Sequence, residues 1–264
     1  MNNKVKKENV VITVITVCFN AEKYIEDTIQ SVVQQSYQDI EYIIKDGMSQ
    51  DKTAEKIKKY SDKHPIKYIC SKDGGIYDAM NQAAEFASGE YVIFLNAGDL
   101  FASEKVVAQI VEQIQKNDYP DLIYGDGFFI SPDNTVLKQT MSKLATHKLW
   151  YILGGSICHQ CIFAKANLLK EFPFLLEYSI CADREWMIRM LEKNKRFVHA
   201  DIDVAKCLED GYSLQNITKY ELETRKCIQA HFPILKYLWF LLEKLKKNRM
   251  ISNCLSTLWK KMHS

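Results

Sequence analysis

Polar residues able to bind or transfer charged groups stand at four places in this sequence, each just after a short run of β-branched and aromatic residues. Cys18-Phe19-Asn20-Ala21 follows the run Val10–Cys18, and Asp46-Gly47-Met48-Ser49-Gln50-Asp51 follows Ile40–Lys45. Ser71-Lys72-Asp73-Gly74-Gly75 follows Ile66–Cys70, and Asn96-Ala97-Gly98-Asp99 follows Tyr91–Leu95. Three of the four ends carry a carboxylate and the other an Asn. One such Asp is an ordinary helix cap. Several at a common sheet edge point to a site for a cation or a polar ligand. No GxGxxG follows the first run and no GxxxxGK[ST] occurs, so neither a dinucleotide fingerprint nor a P-loop is present. Phosphates bound here would need a metal ion to neutralise them in place of a Gly-rich cradle.

The elements that must position these residues alternate. Val10–Cys18 is a strand apolar on both faces, and Glu22–Gln35 has apolar residues at helical spacing. Strands Ile40–Lys45, Ile66–Cys70 and Tyr91–Leu95 are interleaved with helices Gln50–Tyr60, Ile76–Ala87 and Glu104–Gln115, with Asp51 and Ser103 as caps. Such alternation predicts an α/β fold, a mixed and mainly parallel sheet flanked by helices. Ligands of such a sheet bind outside the carboxyl ends of its strands. After Asp121 the rhythm changes. Leu122–Tyr124, Gly127–Ile130 and Thr135–Gln139, with a turn at Ser131–Asn134, read as antiparallel additions. Beyond them come a helix over 143–153, a strand Cys161–Ala164, a helix Arg184–Lys193 capped by Asp183, one or two strands in Arg196–Leu208, and a helix over 214–230. The expected organisation is a domain over 1–230, divided into halves 10–130 and 131–230, and a C-terminal helical appendage over 231–264.

Composition excludes several classes. Hydrophobic residues at 47% and charged residues at 26% are those of a globular chain, not a disordered or fibrous one. A net charge of +2 gives no electrostatic footprint for nucleic acid. Charge is unevenly spread, however: from His231 onward there are seven cations (Lys236, Lys244, Lys246, Lys247, Arg249, Lys260, Lys261) against Glu243, so this stretch carries +6 and the rest −4. With its Trp, Phe and Leu residues it is suited to lie on a membrane surface. No signal-peptide pattern or span-length apolar run is present, which predicts a cytoplasmic protein, peripheral on the inner face of the cell membrane. The eight Cys read as buried free thiols. Cys158-His159-Gln160-Cys161 is a CxxC, but it leads into a strand and lacks a second Cys/His pair, which argues against redox and zinc roles.

In order along the chain, VITVITVCFN (11–20), YIIKDGMSQD (42–51), DGGIYDAMNQ (73–82) and GEYVIFLNAGD (89–99) resemble the successive blocks of family-2 glycosyltransferases of GT-A fold, in the subgroup that makes bacterial surface polysaccharides such as colanic acid and capsules. GGSICHQ (154–160) and ICADREWMIR (180–189) resemble the family's later blocks. The resemblance implies that Asp46 hydrogen-bonds the base of a nucleotide-sugar, that Thr16, Phe19 and Asn20 line its nucleoside, and that Asp73 lies beside base and ribose. It further implies that Asn96, Ala97 and Gly98 belong to the donor loop and that Asp99, last acid of a DxD motif, holds Mg²⁺ or Mn²⁺ on the diphosphate. Here the motif keeps a single carboxylate, so the cation would take its other ligands from phosphates and water.

On the acceptor side, Asp183 matches the general base, with Glu185 as rival, and His159 is expected at the rim, against diphosphate or acceptor. Asp210-Gly211-Tyr212-Ser213 resembles a late loop that closes over the donor, and is equally an Asp-Gly turn. The activity so implied is inverting transfer of a sugar, from a UDP-sugar in the first instance, to a hydroxyl of a glycan or lipid-linked glycan. A sugar-phosphate nucleotidyltransferase is a weaker alternative, because CFNAEKY lacks the Gly-rich basic loop of that class. A non-catalytic scaffold that lost its DxD is another.

Overall fold

The computed structural model describes residues 10–130, 135–139, 141, 143–152, 155–208 and 216–232. Alternating strands and helices open the chain: β1 (Ile12–Cys18), α1 (Ile25–Val33), β2 (Ile40–Asp46), α2 (Thr53–Ser61), β3 (Ile66–Cys70), α3 (Ile76–Ala84) and β4 (Tyr91–Phe94). Every residue of β1 is buried, as a β-branched run in a sheet covered on both faces should be. β1 pairs in parallel with β2 and β4, and β2 with β3, in a register that sets Cys18 beside Asp46 and Asp46 beside Cys70. Backbone bonds continue this alignment past the strands, from Gly47 N–H to Cys18 O, from Ser71 N–H to Asp46 O and from Ala97 N–H to Val17 O. All four polar segments therefore emerge along one edge.

The remainder closes the sheet. β5 (Leu100–Phe101), α4 (Val106–Lys116), β6 (Leu122–Ile130) and β7 (Val136–Gln139) are followed by α5 (Lys148–Ile152), β8 (Ile162–Lys165), α6 (Ala166–Glu171), α7 (Ala182–Glu192), β9 (Phe197–Leu208) and α8 (Ile217–His231). Short 3-10 turns occupy Lys143–Thr146 and His159–Cys161. Strand order is β3-β2-β1-β4-β8-β6-β9-β5, with β7 paired to β6. β8 runs antiparallel between β4 and β6, and β9 lies parallel to β6, so the sheet is mixed, as expected.

Several local readings are corrected. Leu122–Ile130 is one strand, with register irregularities at Tyr124/Asp126 and Asp126/Gly127 where two strands were expected. The predicted helix over 143–153 is a 3-10 turn followed by α5. Strand β8 begins one residue later than read, because Cys161 closes the preceding turn. β5 and α6 were not anticipated; both are too short to show a hydrophobic period. Asp183 is not a cap. α7 begins at Ala182, and Asp183 sits inside its first turn. Glu223, from α8, instead holds the segment that leads into α7, accepting the N–H groups of Ser179, Ile180 and Cys181 at 2.8–3.2 Å. The turn at 131–134, the loop at 210–213 and the basic tail beyond Phe232 lie outside the described residues.

Candidate active site

Loops after β1 and β2 are laced together. Asn20 N–H donates to Ser49 Oγ and Gln50 N–H to Asn20 Oδ1, both at 2.8 Å. Ala21 N–H reaches Thr53 Oγ1 and Glu22 N–H reaches Asp51 Oδ2. Asp51 thus braces the neighbouring loop as well as Thr53 N–H at the entry to α2. Asn20 and Met48 hold positive φ, 49° and 67°, at the turning points. This lacing leaves Phe19 62% exposed on the surface. Between Phe19 and Asp73 lies Gly47, where an added Cβ would stand 2.8 Å from Asp73 Oδ2 and 3.4 Å from the Phe19 ring. An aromatic face and a carboxylate thus flank a floor made of backbone.

Two of the residues expected at the donor lie beneath this floor. Thr16 is wholly buried, with its hydroxyl donating to Leu95 O and lying 3.0 Å from Tyr42 Oη. Asp46 is equally buried: Oδ1 accepts Ser49 N–H and Oγ–H, and Oδ2 accepts the Tyr68 hydroxyl. Both residues support the floor from below. Asp73 remains accessible. It pairs with the fully buried Lys45 at 3.0 Å and accepts Gly75 N–H through Oδ1.

Asn96-Ala97-Gly98-Asp99 sits at the next strand end. Gly98, at φ 104°, donates its N–H to Thr28 Oγ1. Asp99 is 7% exposed, and Gln160 Nε2 donates to its Oδ2 at 2.9 Å. Burial pushes the Asp99 carboxyl up to about 7, against the opposing hydrogen bond from Gln160. Among the described residues no group of three or more His, Cys, Asp or Glu side chains is arranged to hold a metal ion. One acid fits a cation that arrives with a diphosphate and is ligated mostly by it, not a centre built by protein alone.

From Asn96 a chain of hydrogen bonds runs to the second half. Asn96 Nδ2 lies 2.9 Å from His159 Nε2, and His159 Nδ1 lies 3.0 Å from Asp183 Oδ2. The other oxygen, Asp183 Oδ1, accepts Arg184 N–H at 2.8 Å and faces the Tyr77 hydroxyl at 3.0 Å. Tyr77 also donates to Ile180 O at 2.8 Å. Burial first, and then the Asp183 charge, push Tyr77 well above the usual phenol range, so it keeps its proton. His159 is raised: burial alone would lower it, and the Asp183 carboxylate outweighs that. The two side chains are 15% and 17% exposed. They also line a cavity of about 20 Å³ with Val92, Phe94, Phe174 and Trp186. That is room for a water, not a sugar.

Glu185 is excluded as a base. It is buried, with Oε2 on Arg189 at 3.0 Å and Oε1 on His231 at 3.1 Å. The CxxC is neither a disulfide nor an isolated pair: Cys158 Sγ lies 4.0 Å from Cys207 Sγ, and Cys161 Sγ donates to Asp126 O. Cys70 is exposed, against the expectation of buried thiols throughout. Tyr77 and Gln160 had lain unremarked inside the quoted blocks. Lys45 carried a signal, a cation directly after Tyr42-Ile43-Ile44 in β2. Glu223 carried none, because its partners are backbone groups more than forty positions away.

The glycosyl transferase family 2 profile matches residues 13–171, more than half of the chain. A PGL/p-HBAD biosynthesis glycosyltransferase of Mycobacterium bovis is 26% identical over 182 residues, covering 67% of this chain and 68% of its own. An uncharacterized glycosyltransferase of Mycobacterium tuberculosis is 33% identical over 184 residues, with the same coverages. Among solved structures, S. aureus TarS 1–349 with UDP-GlcNAc superposes with a TM-score of 0.67 at 20% identity, over 83% of this chain and 66% of that one. With UDP bound, TarS 1–349 is spanned over 65% of its length. The mannosyltransferase PcManGT of Pyrobaculum calidifontis, in complex with GDP-Man and Mn²⁺, gives 0.60 at 14% identity, over 98% and 82%. At those identities the structures speak for the fold, which is GT-A-like. No helix among the described residues is long and apolar enough to cross a membrane. By the extent of the profile match and the identity of its relatives, the chain belongs to glycosyl transferase family 2.

Proposed function

We propose that this glycosyltransferase is an inverting enzyme that moves a sugar from a UDP-sugar to a hydroxyl of a lipid-linked surface-glycan intermediate, with Asp183 as general base. One observation carries the reading: Asp183 is a partly exposed carboxylate held from both sides by fixed donors, and tied through His159 to the donor loop. An attacking sugar hydroxyl must lose its proton as it bonds to the anomeric carbon, while the bond to the diphosphate breaks with its electron pair on the leaving group. A carboxylate opposite that leaving group takes the proton. Oδ1 accepts the Arg184 N–H and shares the one Tyr77 hydroxyl proton with Ile180 O, while Oδ2 faces His159 alone, so Oδ2 has a free lone pair to receive it.

On the donor side, Phe19, Asn20 and Asp73 flank the nucleoside, and Ala97 and Gly98 line the approach to the diphosphate. Asp99 would hold Mg²⁺ or Mn²⁺ there. When bound, such a cation neutralises charge on the departing diphosphate. The UDP-GlcNAc bound to TarS supports the choice of nucleotide, and the Mn²⁺ in PcManGT supports the metal. The mycobacterial relative, by its part in PGL/p-HBAD biosynthesis, supports an acceptor in surface glycoconjugates, of which colanic acid and capsule are the bacterial polysaccharide examples. A lipid-linked acceptor would place the enzyme in the cytoplasm at the inner face of the membrane, with 231–264 as the membrane-facing appendage of a domain over 1–230.

Asp183→Asn tests the base. Asn keeps the size and an oxygen for the Arg184 N–H, while its NH₂, at the Oδ2 position, meets His159 Nδ1, so the variant should fold with a modestly lowered melting temperature. Transfer should fall by roughly 10²–10⁴-fold. Near-normal transfer by the folded variant refutes the assignment.

A further inference from the structure

Asn96 stands at the carboxyl end of β4, three residues before Asp99, on the loop assigned to the donor. Its hydrogen bond is not toward that side. Asn96 Nδ2 reaches 2.9 Å to His159 Nε2, while Asn96 Oδ1 is buried with no hydrogen-bond partner among the described residues. The amide therefore makes its ordered contact with the imidazole alone.

The hydrogens of this chain follow from its far end. An ionised carboxylate is only an acceptor, so the 3.0 Å contact between His159 Nδ1 and Asp183 Oδ2 needs the ring proton on Nδ1. A neutral imidazole with that proton on Nδ1 has a lone pair on Nε2. Only a donor can face it at 2.9 Å, and the Asn96 NH₂ is that donor. With the other tautomer, Nδ1 and Asp183 Oδ2 would meet lone pair to lone pair. Aspartate, isosteric with Asn, could not supply the N–H. It would call for a proton on Nε2 and so put a cation against the base. The geometry points to Asn96 as a positioning residue: its N–H locks His159 in the Nδ1–H form, and His159 in turn holds Asp183 in the orientation that receives the acceptor proton. Tyr77 fixes the other oxygen, so donor loop, α3 and α7 converge on one carboxylate. This rests on Asp183 being the base.

Two readouts test it. The first reads the wild-type ring: long-range ¹H–¹⁵N spectra of the ¹⁵N-labelled, metal-free, donor-free protein at alkaline pH, with His159 assigned by its loss in His159→Gln. The Nδ1–H form is expected. An Nε2–H form, or averaging between the two, overturns the proposal. The second is Asn96→Asp. As a positioning residue it should lose about 10²-fold in kcat, the scale of a misplaced reacting group, with donor KM unchanged. If position 96 instead served the metal, the new carboxylate would tighten Mn²⁺ and sustain or raise turnover, and that result also overturns it. Should Asn96→Asp fail to fold, the wild-type tautomer decides. Asp183→Asn run in parallel separates the two readings: near-normal transfer there refutes the base itself, whereas a mobile or Nε2–H ring with a dead Asp183→Asn refutes only the role of Asn96.

Discussion

Lys45 is the side chain whose surroundings are most at odds with its charge. It is fully buried in β2, donating to Ser71 O at 2.6 Å and to Asp73 Oδ2 at 3.0 Å. Asp73 thus has two duties, one to the ligand surface and one to a buried cation. Removing one partner of such a pair leaves the other uncompensated, at about 3–5 kcal/mol. Asp73→Ala should cost near the low end of that range, since Lys45 keeps its carbonyl partner. Denaturant unfolding measures it; a loss below about 0.5 kcal/mol, ordinary for a surface site, would show that Lys45 finds other compensation. Loss of donor affinity in this variant is therefore interpretable only beside its unfolding curve. Asp99→Ala involves no such cation, so it reports on metal-dependent turnover more directly.

Helix α7 illustrates how one element borrows its stability from another. Four donors, Ser179 N–H, Ser179 Oγ–H, Ile180 N–H and Cys181 N–H, converge on the Glu223 carboxylate of α8. Burial alone would raise Glu223, yet these donors hold it below the carboxylate value of 4.5. The native state therefore binds a proton less readily than the unfolded chain. This contribution is complete above pH 4.5 and is lost as pH falls through the depressed native pKa. Glu223→Gln should flatten the acid limb of the stability curve and lower neutral stability by about 1.5–3 kcal/mol, as for a hydrogen bond to a charged group. Thermal melts across pH 3–7 check this, and an unchanged acid limb would count against this role of Glu223. Because Asp183 sits in the first turn of α7, kcat should fall along with stability.

At the scale of the whole molecule, the parallel half made by β1 to β4 bears the donor loops, and the mixed half brings His159 and Asp183 against them. α8 closes over α7 through Glu223, and through His231 on Glu185 and Glu192. The chain that leaves α8 is the basic, aromatic stretch beyond Phe232. If it engages an anionic membrane surface, the full chain should cosediment with anionic vesicles at low salt and release at high salt, as screening weakens each charge. A chain ending after Phe232 should stay in the supernatant with a similar melting temperature. A full chain wholly unbound at low salt would refute membrane contact.

What the sequence determined by itself is periodic or contiguous. Short runs rich in β-branched and aromatic residues marked β1 to β4, helical spacing marked α1 to α4, and the polar residues after each strand marked which edge carries the site. Those signals are local: each is a few residues acting through their own backbone geometry. Asp183, His159 and Phe19 were also legible, as members of short motifs. Other matters were decided only in three dimensions. Thr16 and Asp46 sit at motif positions, yet the burial of their neighbours turns them into supports, and burial depends on what packs from elsewhere in the chain. Asp183 reads as a cap, but α7 begins one residue before it, and the segment that enters the helix is held by Glu223, forty residues later, because α8 packs there. Asn96, His159, Tyr77 and Asp183 belong to four separate segments and meet only once the sheet has closed. A hydrogen bond is set by ångströms and angles between groups distant in sequence, and no spacing rule along the chain encodes that meeting.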